Sequence, residues 1–274
     1  MTDIALGPIL LPLPILMLFG TAVVALAVGV RLAGDRRAEV ERSLWLVAGW
    51  ILLAARAGFV FRYRALYLAE PLRIVDLRDG GFMPGAGIAA ALAAAAWIAW
   101  RRNGRQRALL AALAAGLAVW SAGAAAIKMW PSQQCLPEMA LVRLDGGVMR
   151  LRAKPGKPVV LNLWASWCPP CRREMPTLAR AEADHPEVEF LFANQGETPN
   201  TVKAYLSSQG LVLRNVLLDS TTDLARHSNS QGLPTTLFFN ADGELVDRRA
   251  GELSPATLAQ RLDMLRPAAP AEKE

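Results

Sequence analysis

The sequence predicts a chain in two parts: an α-helical membrane region of about four spans over residues 1–130, then an α/β domain over 138–266 built around two closely spaced thiols. Three observations lead there. The 274 residues are 53% apolar, and the first half holds long uncharged runs, one of them, residues 4–30, 27 residues long. About 20 such residues suffice to cross a bilayer. Charge divides the same way: residues 1–130 hold 14 Lys+Arg and 7 Asp+Glu, residues 131–274 hold 16 and 17, so the halves carry +7 and −1. Finally, the apolar run Pro158-Val159-Val160-Leu161-Asn162-Leu163 reads as a buried strand. It delivers the chain into Trp164-Ala165-Ser166-Trp167-Cys168-Pro169-Pro170-Cys171 and a helical pattern opening at Arg172-Arg173-Glu174-Met175.

The first span, residues 4–30, follows Met1-Thr2-Asp3 rather than the basic start of a cleavable signal peptide, so it is expected to be retained. The second runs from 43 to about 61 and is interrupted by Arg56. The third and fourth, 80–100 and 108–127, are rich enough in Ala to need packing against neighbouring helices. The loops after spans one and three carry eight arginines (Arg31, Arg36, Arg37, Arg42, Arg101, Arg102, Arg105, Arg107), against four in the opposite loop (Arg62, Arg64, Arg73, Arg78). The positive-inside bias makes the first set cytoplasmic and leaves both termini outside. The expected setting is a bacterial inner membrane crossed several times, with membrane lipid around the first half and the thiol domain in the periplasm. Arg56 has two readings, a functional intramembrane charge or a side chain snorkelling to the outer interface towards Glu70 or Asp76.

The run Ala55-Arg56-Ala57-Gly58-Phe59-Val60-Phe61-Arg62-Tyr63, followed by Asp79-Gly80-Gly81-Phe82-Met83-Pro84-Gly85-Ala86-Gly87, resembles part of the prolipoprotein diacylglyceryl transferase family. The likeness covers roughly residues 1–100. Gly85 stands about where that family has a His, and its later Arg- and Asn-containing signature has no counterpart. A truncated relative of this kind implies an anchor or docking surface rather than a working lipid transferase.

Residues 131–137 read as a linker. Cys135 within it lacks the small residues that precede a lipidated Cys, which leaves a passive linker residue or a reactive or intermolecular thiol. Strands are expected at 140–144 and 148–152, joined by Asp145-Gly146-Gly147. The central strand and a helix to 184, bent at Pro176, come next. A strand at 187–193 completes a βαβ unit. After it come a helix at 199–209, a strand at 212–218, a short helix at 222–227, strands at 235–240 and 244–249 around Asp242-Gly243, and a helix at 255–265. The sheet should be covered by helices on both faces. Residues 267–274, rich in Pro and Ala, read as a disordered tail.

Two thiols two residues apart at a strand-to-helix turn have the geometry of a reversible disulfide, and the helix N-terminus favours a thiolate on the first. A zinc site would need a second ligand pair, and Cys135, His185 and His227 are not spaced as one, so no metal is expected. Both His residues read as surface residues. The near-neutral second half offers no basic face for a phosphate backbone, so nucleic acid is excluded as a partner.

The run Asn162-Leu163-Trp164-Ala165-Ser166-Trp167-Cys168-Pro169-Pro170-Cys171-Arg172-Arg173-Glu174-Met175-Pro176, with Gly232-Leu233-Pro234-Thr235-Thr236 before a strand, strongly resembles the thioredoxin-like fold. Within it the likeness is to the TlpA/ResA group of membrane-anchored thiol-disulfide oxidoreductases, over about residues 138–266. The resemblance implies Cys168 as nucleophile, Cys171 as resolving thiol and Pro234 as a cis-proline facing the disulfide, with Trp167, Leu233 and Pro234 meeting the substrate. Where thioredoxin has a buried Asp, this chain has Asn162, which cannot exchange a proton. Glu174, one turn beyond Cys171, is the expected replacement acid, the alternative being a solvated, inert carboxylate.

The likeness further implies reduction of disulfides in exported thiol proteins such as apocytochrome c. It implies no cofactor beyond the redox-active disulfide, and electrons from a DsbD- or CcdA-type membrane carrier. A thiol oxidase of the same fold, a lipid-modifying transferase and a docking protein stapled by its thiols are the competing readings.

Overall fold

A computed structural model describes residues 3–6, 9–69, 71–76, 80–101, 106–129, 134–152, 156–230 and 232–265. The chain divides into two units, Met1–Pro131 and Ser132–Glu274.

In the first unit two short antiparallel strands, β1 (Asp3–Leu6) and β2 (Ile9–Pro12), precede the helices α1 (Leu13–Leu32), α2 (Arg37–Arg62), α3 (Arg64–Ala69), α4 (Pro84–Trp100) and α5 (Gln106–Met129). The expected first span is thereby corrected at its start. Pro12 and Pro14 supply no backbone N–H, and proline suits the first turn of a helix better than its interior, so the helix begins at Leu13 rather than near residue 4. The third expected span also begins late, at Pro84, leaving 17 residues. Among the described residues two stretches, Gly34–Arg62 and Gln106–Ile127, are long and apolar enough to cross a membrane, while Leu16–Leu32 and Pro84–Trp100 are apolar but shorter.

The Ala-rich helices lie against neighbours: α5 packs on α1, and α4 on α2. The approach of α4 to α2 depends on a missing side chain, since a Cβ at Gly58 would stand 2.6 Å from the Ala86 Cβ.

Arg56 reaches the main chain of the segment that follows α3. It is 7% exposed, and its guanidinium donates to the main-chain carbonyls of Arg73 (3.1 Å), Ile74 (3.1 Å), Asp76 (2.9 Å) and Gly81 (2.8 Å). The Phe59 and Tyr67 rings flank it at 5.9 and 5.5 Å. Asp76, one of the expected partners, is met through its carbonyl: a planar fork with five donors ties the 3₁₀ turn Pro71–Ile74 and the residues after it to α2. Glu70, one of its expected partners, lies outside the described residues.

The second unit contains β3 (Met139–Arg143), β4 (Val148–Leu151), β5 (Val159–Trp164), α6 (Pro169–Asp184), β6 (Glu189–Gln195), α7 (Pro199–Ser208), β7 (Val216–Asp219), α8 (Asp223–His227), β8 (Thr235–Phe239), β9 (Leu245–Ala250) and α9 (Pro255–Leu265). The strands form one sheet in the order β4-β3-β7-β6-β5-β8-β9. β5, β6 and β7 run parallel, and β3, β4, β8 and β9 join antiparallel. At the β3–β4 turn Gly146 takes φ +96°, a conformation open to glycine.

Strand alternation splits the core in two. Val160, Trp164, Phe190, Phe192 and Phe238 pack beneath α6, α7 and α9. On the other face Leu161, Leu163, Leu191, Leu237 and Phe239 meet Leu224 of α8 and Leu136. Three of the four helices thus share one face, an asymmetry that the expectation of cover on both faces did not contain.

Three further expectations change. The helix after the thiols opens at Pro169, not Arg172, because prolines at the first two helical positions forgo N–H groups that the helix leaves unpaired. It runs unbroken through Pro176 to Asp184. The strand expected at 212–218 is only Val216–Asp219: the Arg214 N–H is spent on the Glu182 carboxylate (3.1 Å) and the Asn215 side chain on the Phe190 carbonyl (3.0 Å). The described end of the linker is built into the domain. Leu245 N donates to Gln134 O (2.8 Å), Leu136 N to Gly243 O (2.9 Å), and Cys135 bridges to Glu244. Leu136 is 5% exposed, and Cys135 is a free, exposed thiol held by that bridge. The tail, residues 267–274, lies outside the described residues.

Candidate active site

Trp164 ends β5, and the chain turns at once, Cys168 N donating to Ala165 O at 3.3 Å. Cys168 is then the cap of α6, its Sγ accepting from Cys171 N at 3.3 Å. Cys168 and Cys171 are joined by a disulfide with Cα atoms 5.3 Å apart. The pair is nearly buried, at 3% and 0% exposed, and belongs to the core beneath α6. Trp167, by contrast, projects with 67% of its surface exposed beside Cys168. The sulfur of Cys168 therefore meets the Cys171 N–H and the positive end of α6, which favour a thiolate once the bond is reduced.

Pro234 reaches this point by strand register. Leu163 of β5 pairs with Thr235 of β8, so the residues just before β8 lie beside the end of β5, where the Cys-x-x-Cys turn leaves. The Leu233–Pro234 peptide bond is cis. Pro234 is buried, its carbonyl accepts from Gly251 N at 2.9 Å, and Leu233 packs partly buried against both cores.

Glu174 follows Cys171 by one turn, on the face of α6 that also buries Met175 and Leu178. It has no exposed surface. Asn162 and Thr236 are paired neighbours in β5 and β8, and alternation turns both towards α6. Asn162 Nδ2 donates to Glu174 Oε1 at 2.8 Å and to Thr236 Oγ1 at 2.9 Å, and Leu253 N donates to Glu174 Oε2 at 2.9 Å. Burial pushes the Glu174 carboxyl up from its ordinary 4.5 to about 7, against the opposing pull of the Leu253 and Asn162 hydrogen bonds. The solvated reading of Glu174 does not describe it. A carboxyl with its pKa pushed to about 7, one turn from Cys171, is a setting in which general acid–base help in thiol–disulfide exchange is chemically available.

Several contributors carry no local sequence signal. The loop after β9 is bolted to α6 by Leu253 N and by Glu252, which bonds Arg173 at 2.7 Å. Arg172 lies over the Tyr205 ring at 5.7 Å, and Tyr205 leans on Trp164 at 5.6 Å. Glu197 accepts from Ser166, the residue before Trp167. Their sequence distance from the thiols hides them, and only the sheet order brings them near. His185 and His227 are bound locally, to Glu187 and to the Asp223 carbonyl, away from this cluster.

The Redoxin family profile matches residues 131–262. The chain is 30% identical over 128 residues to the thiol-disulfide oxidoreductase ResA of Halalkalibacterium halodurans, covering 46% of this chain and 72% of that protein. It is 29% identical over 135 residues to the thioredoxin-like protein YneN of Bacillus subtilis, covering 48% and 78%. Among solved structures, a thioredoxin-family thiol:disulfide interchange protein from Chlorobium tepidum matches at 25% identity with a TM-score of 0.45, over 50% of this chain and 98% of that one. The Redoxin match begins at residue 131 and lends no support to the diacylglyceryl transferase likeness of the first half. With a dithiol at the head of α6 and a ResA relative matched over most of its length, the chain belongs to the ResA-like thiol-disulfide oxidoreductases of the Redoxin family.

Proposed function

We propose that this oxidoreductase is anchored in a bacterial inner membrane by its first half, faces the periplasm with its second, and reduces disulfides in exported proteins. The observation that carries the chemistry is the Cys168–Cys171 pair at the N-terminus of α6 with the Glu174 carboxyl, pushed up to about 7, one turn away. In the reduced enzyme the Cys168 thiolate attacks one sulfur of a client disulfide, forms a mixed disulfide and expels the other sulfur as a thiolate. Cys171 gives its proton to Glu174 or water and attacks Cys168, so the client leaves with two electrons and both its thiols while Cys168–Cys171 closes. With the Pro234 carbonyl taken by Gly251, the backbone of Leu233 is what an extended client segment pairs with, and Trp167 borders it. Two electrons from a DsbD- or CcdA-type carrier reopen the disulfide. Apocytochrome c is the client class we favour.

The apolar lengths of Gly34–Arg62 and Gln106–Ile127 support the anchor, and the arginine distribution supports the orientation. The Arg56 side chain, occupied by main-chain carbonyls, supports an anchoring rather than a lipid-transferring role for this half.

The direction of electron flow is tested by the reduction potential of the Cys168–Cys171 pair against glutathione. A reductase should lie well below about −180 mV, and a value near about −120 mV, that of a strong oxidant, overturns the proposal in favour of a thiol oxidase. Trapping with Cys171→Ser should yield mixed disulfides with several exported proteins. A single trapped partner would mean a docking module.

A further inference from the structure

Glu197 stands outside the Cys-x-x-Cys segment and takes no part in the exchange, yet three donors converge on its carboxylate. Ser166 N donates to Oε2 at 2.7 Å, Ser166 Oγ to Oε1 at 2.5 Å, and Asn194 Nδ2 to Oε2 at 2.6 Å. One residue, Ser166, therefore grips both oxygens. Ser166 is the second residue of the turn closed by Cys168 N and Ala165 O. The third is Trp167, 67% exposed, and the fourth is the capping Cys168. A carboxylate from the loop between β6 and α7 thus pins one corner of a turn whose next corner presents an indole and whose last residue is the attacking sulfur.

We propose that Glu197 is a positioning residue for protein clients: by fixing Ser166 it holds Trp167 where a client segment docks while its disulfide lies against Cys168. The proposal rests on the reading that clients are proteins. A small disulfide reaches Cys168 without needing the indole, so Glu197 should matter more for a protein than for a small molecule.

The hydrogen-bond pattern also says which substitution is tolerated. A Gln amide in the same place accepts from Ser166 N and Asn194 Nδ2 through its oxygen and donates to Ser166 Oγ, which can accept instead. Ala leaves all three donors to water. If the carboxylate acted through its charge, Gln and Ala would be equally harmful.

The test uses the full chain, reduced, in detergent, with kcat/KM measured for disulfide-bonded apocytochrome c and for oxidised glutathione. Glu197→Ala should lower the ratio of the two about tenfold, the equivalent of about 1.4 kcal/mol, chiefly through KM for the protein. Glu197→Gln should stay within about threefold of the parent ratio. Amide hydrogen exchange at Ser166 should quicken in the Ala variant and not in the Gln variant. An unchanged ratio with Ala, or a Gln variant as impaired as Ala, overturns the proposal. Should Glu197→Ala fail to fold, Ser166→Ala removes only the hydroxyl arm, and it must lower the ratio in part or the proposal fails. Parent protein that reduces glutathione but not the apocytochrome overturns the functional reading, and this one with it.

Discussion

The Glu174 carboxyl has no exposed surface, and burial holds its pKa near about 7 instead of 4.5. The folded protein therefore binds this proton more tightly than the unfolded chain does. Between those two values the native state carries a proton that the unfolded state has lost, so the contribution of Glu174 to stability falls as pH rises through this window and is lowest above about 7. At about 1.4 kcal/mol per tenfold in proton affinity the whole difference is roughly 3 kcal/mol. Glu174→Gln keeps the shape without the titration. Its stability advantage over the parent should widen by about 2 to 3 kcal/mol between about pH 5 and about pH 8, read from unfolding of the full chain in detergent. An advantage independent of pH would mean that Glu174 titrates normally. The same group sets a kinetic expectation: if its carboxylate form receives the Cys171 proton, client release should accelerate as pH rises through about 7. In Glu174→Gln that limb should vanish, with release slowed by about 10²-fold, as stopped-flow decay of the mixed disulfide would show.

Among elements, α6 was the most legible, because a Cys-x-x-Cys after a β-branched run and a stripe of Cys171, Glu174, Met175 and Leu178 need only local spacing to be read. Even its start was missed, since two prolines look like a breaker and serve instead as a first turn. The segment at 134–137 shows what spacing cannot reveal. Pro and polar residues mark it as a linker, but the bonds from Leu245 N to Gln134 O and from Leu136 N to Gly243 O, and the burial of Leu136 in one core with Leu237 and Leu245, come from a hairpin about a hundred residues away. Leu136→Ala should therefore destabilise the thiol domain by about 2 to 5 kcal/mol, whereas a true linker residue would shift the thermal midpoint by almost nothing. The bonds of Arg56 are hidden in the same way, since the main-chain carbonyls it meets carry no residue signature. Arg56→Ala removes the guanidinium that bonds the carbonyls of Arg73, Ile74, Asp76 and Gly81, and should expose this segment to proteases in detergent. Arg56→Lys should protect it only in part, because an ammonium cannot fork across several acceptors.

At the scale of the molecule, the proposed biology depends on which side of the membrane the thiols occupy. The chain offers a direct readout, because its three Cys residues, Cys135, Cys168 and Cys171, all belong to the second unit. Cys135 is exposed and free, so it reports accessibility whatever the redox state of the catalytic pair. In intact spheroplasts a maleimide too polar to cross the bilayer should label Cys135, and after a brief exposure to a reductant it should label Cys168 as well. A Cys135→Ser chain should lose only the first signal. The expectation comes from eight arginines in two loops set against four in the third, a bias that acts through short loops close to the spans. It also requires an even number of crossings, for which Leu16–Leu32 and Pro84–Trp100, the shorter helices, are the critical members. At 1.5 Å per residue, the 17 residues of Pro84–Trp100 rise about 25 Å, short of the roughly 30 Å of a hydrocarbon core, a gap that local thinning of the bilayer or snorkelling by Arg101 can close. Labelling that appears only after the membrane is permeabilised would put the thiol domain in the cytoplasm. The periplasmic clients and the inward source of electrons would then both fall, while the exchange chemistry of Cys168 and Cys171 would stand.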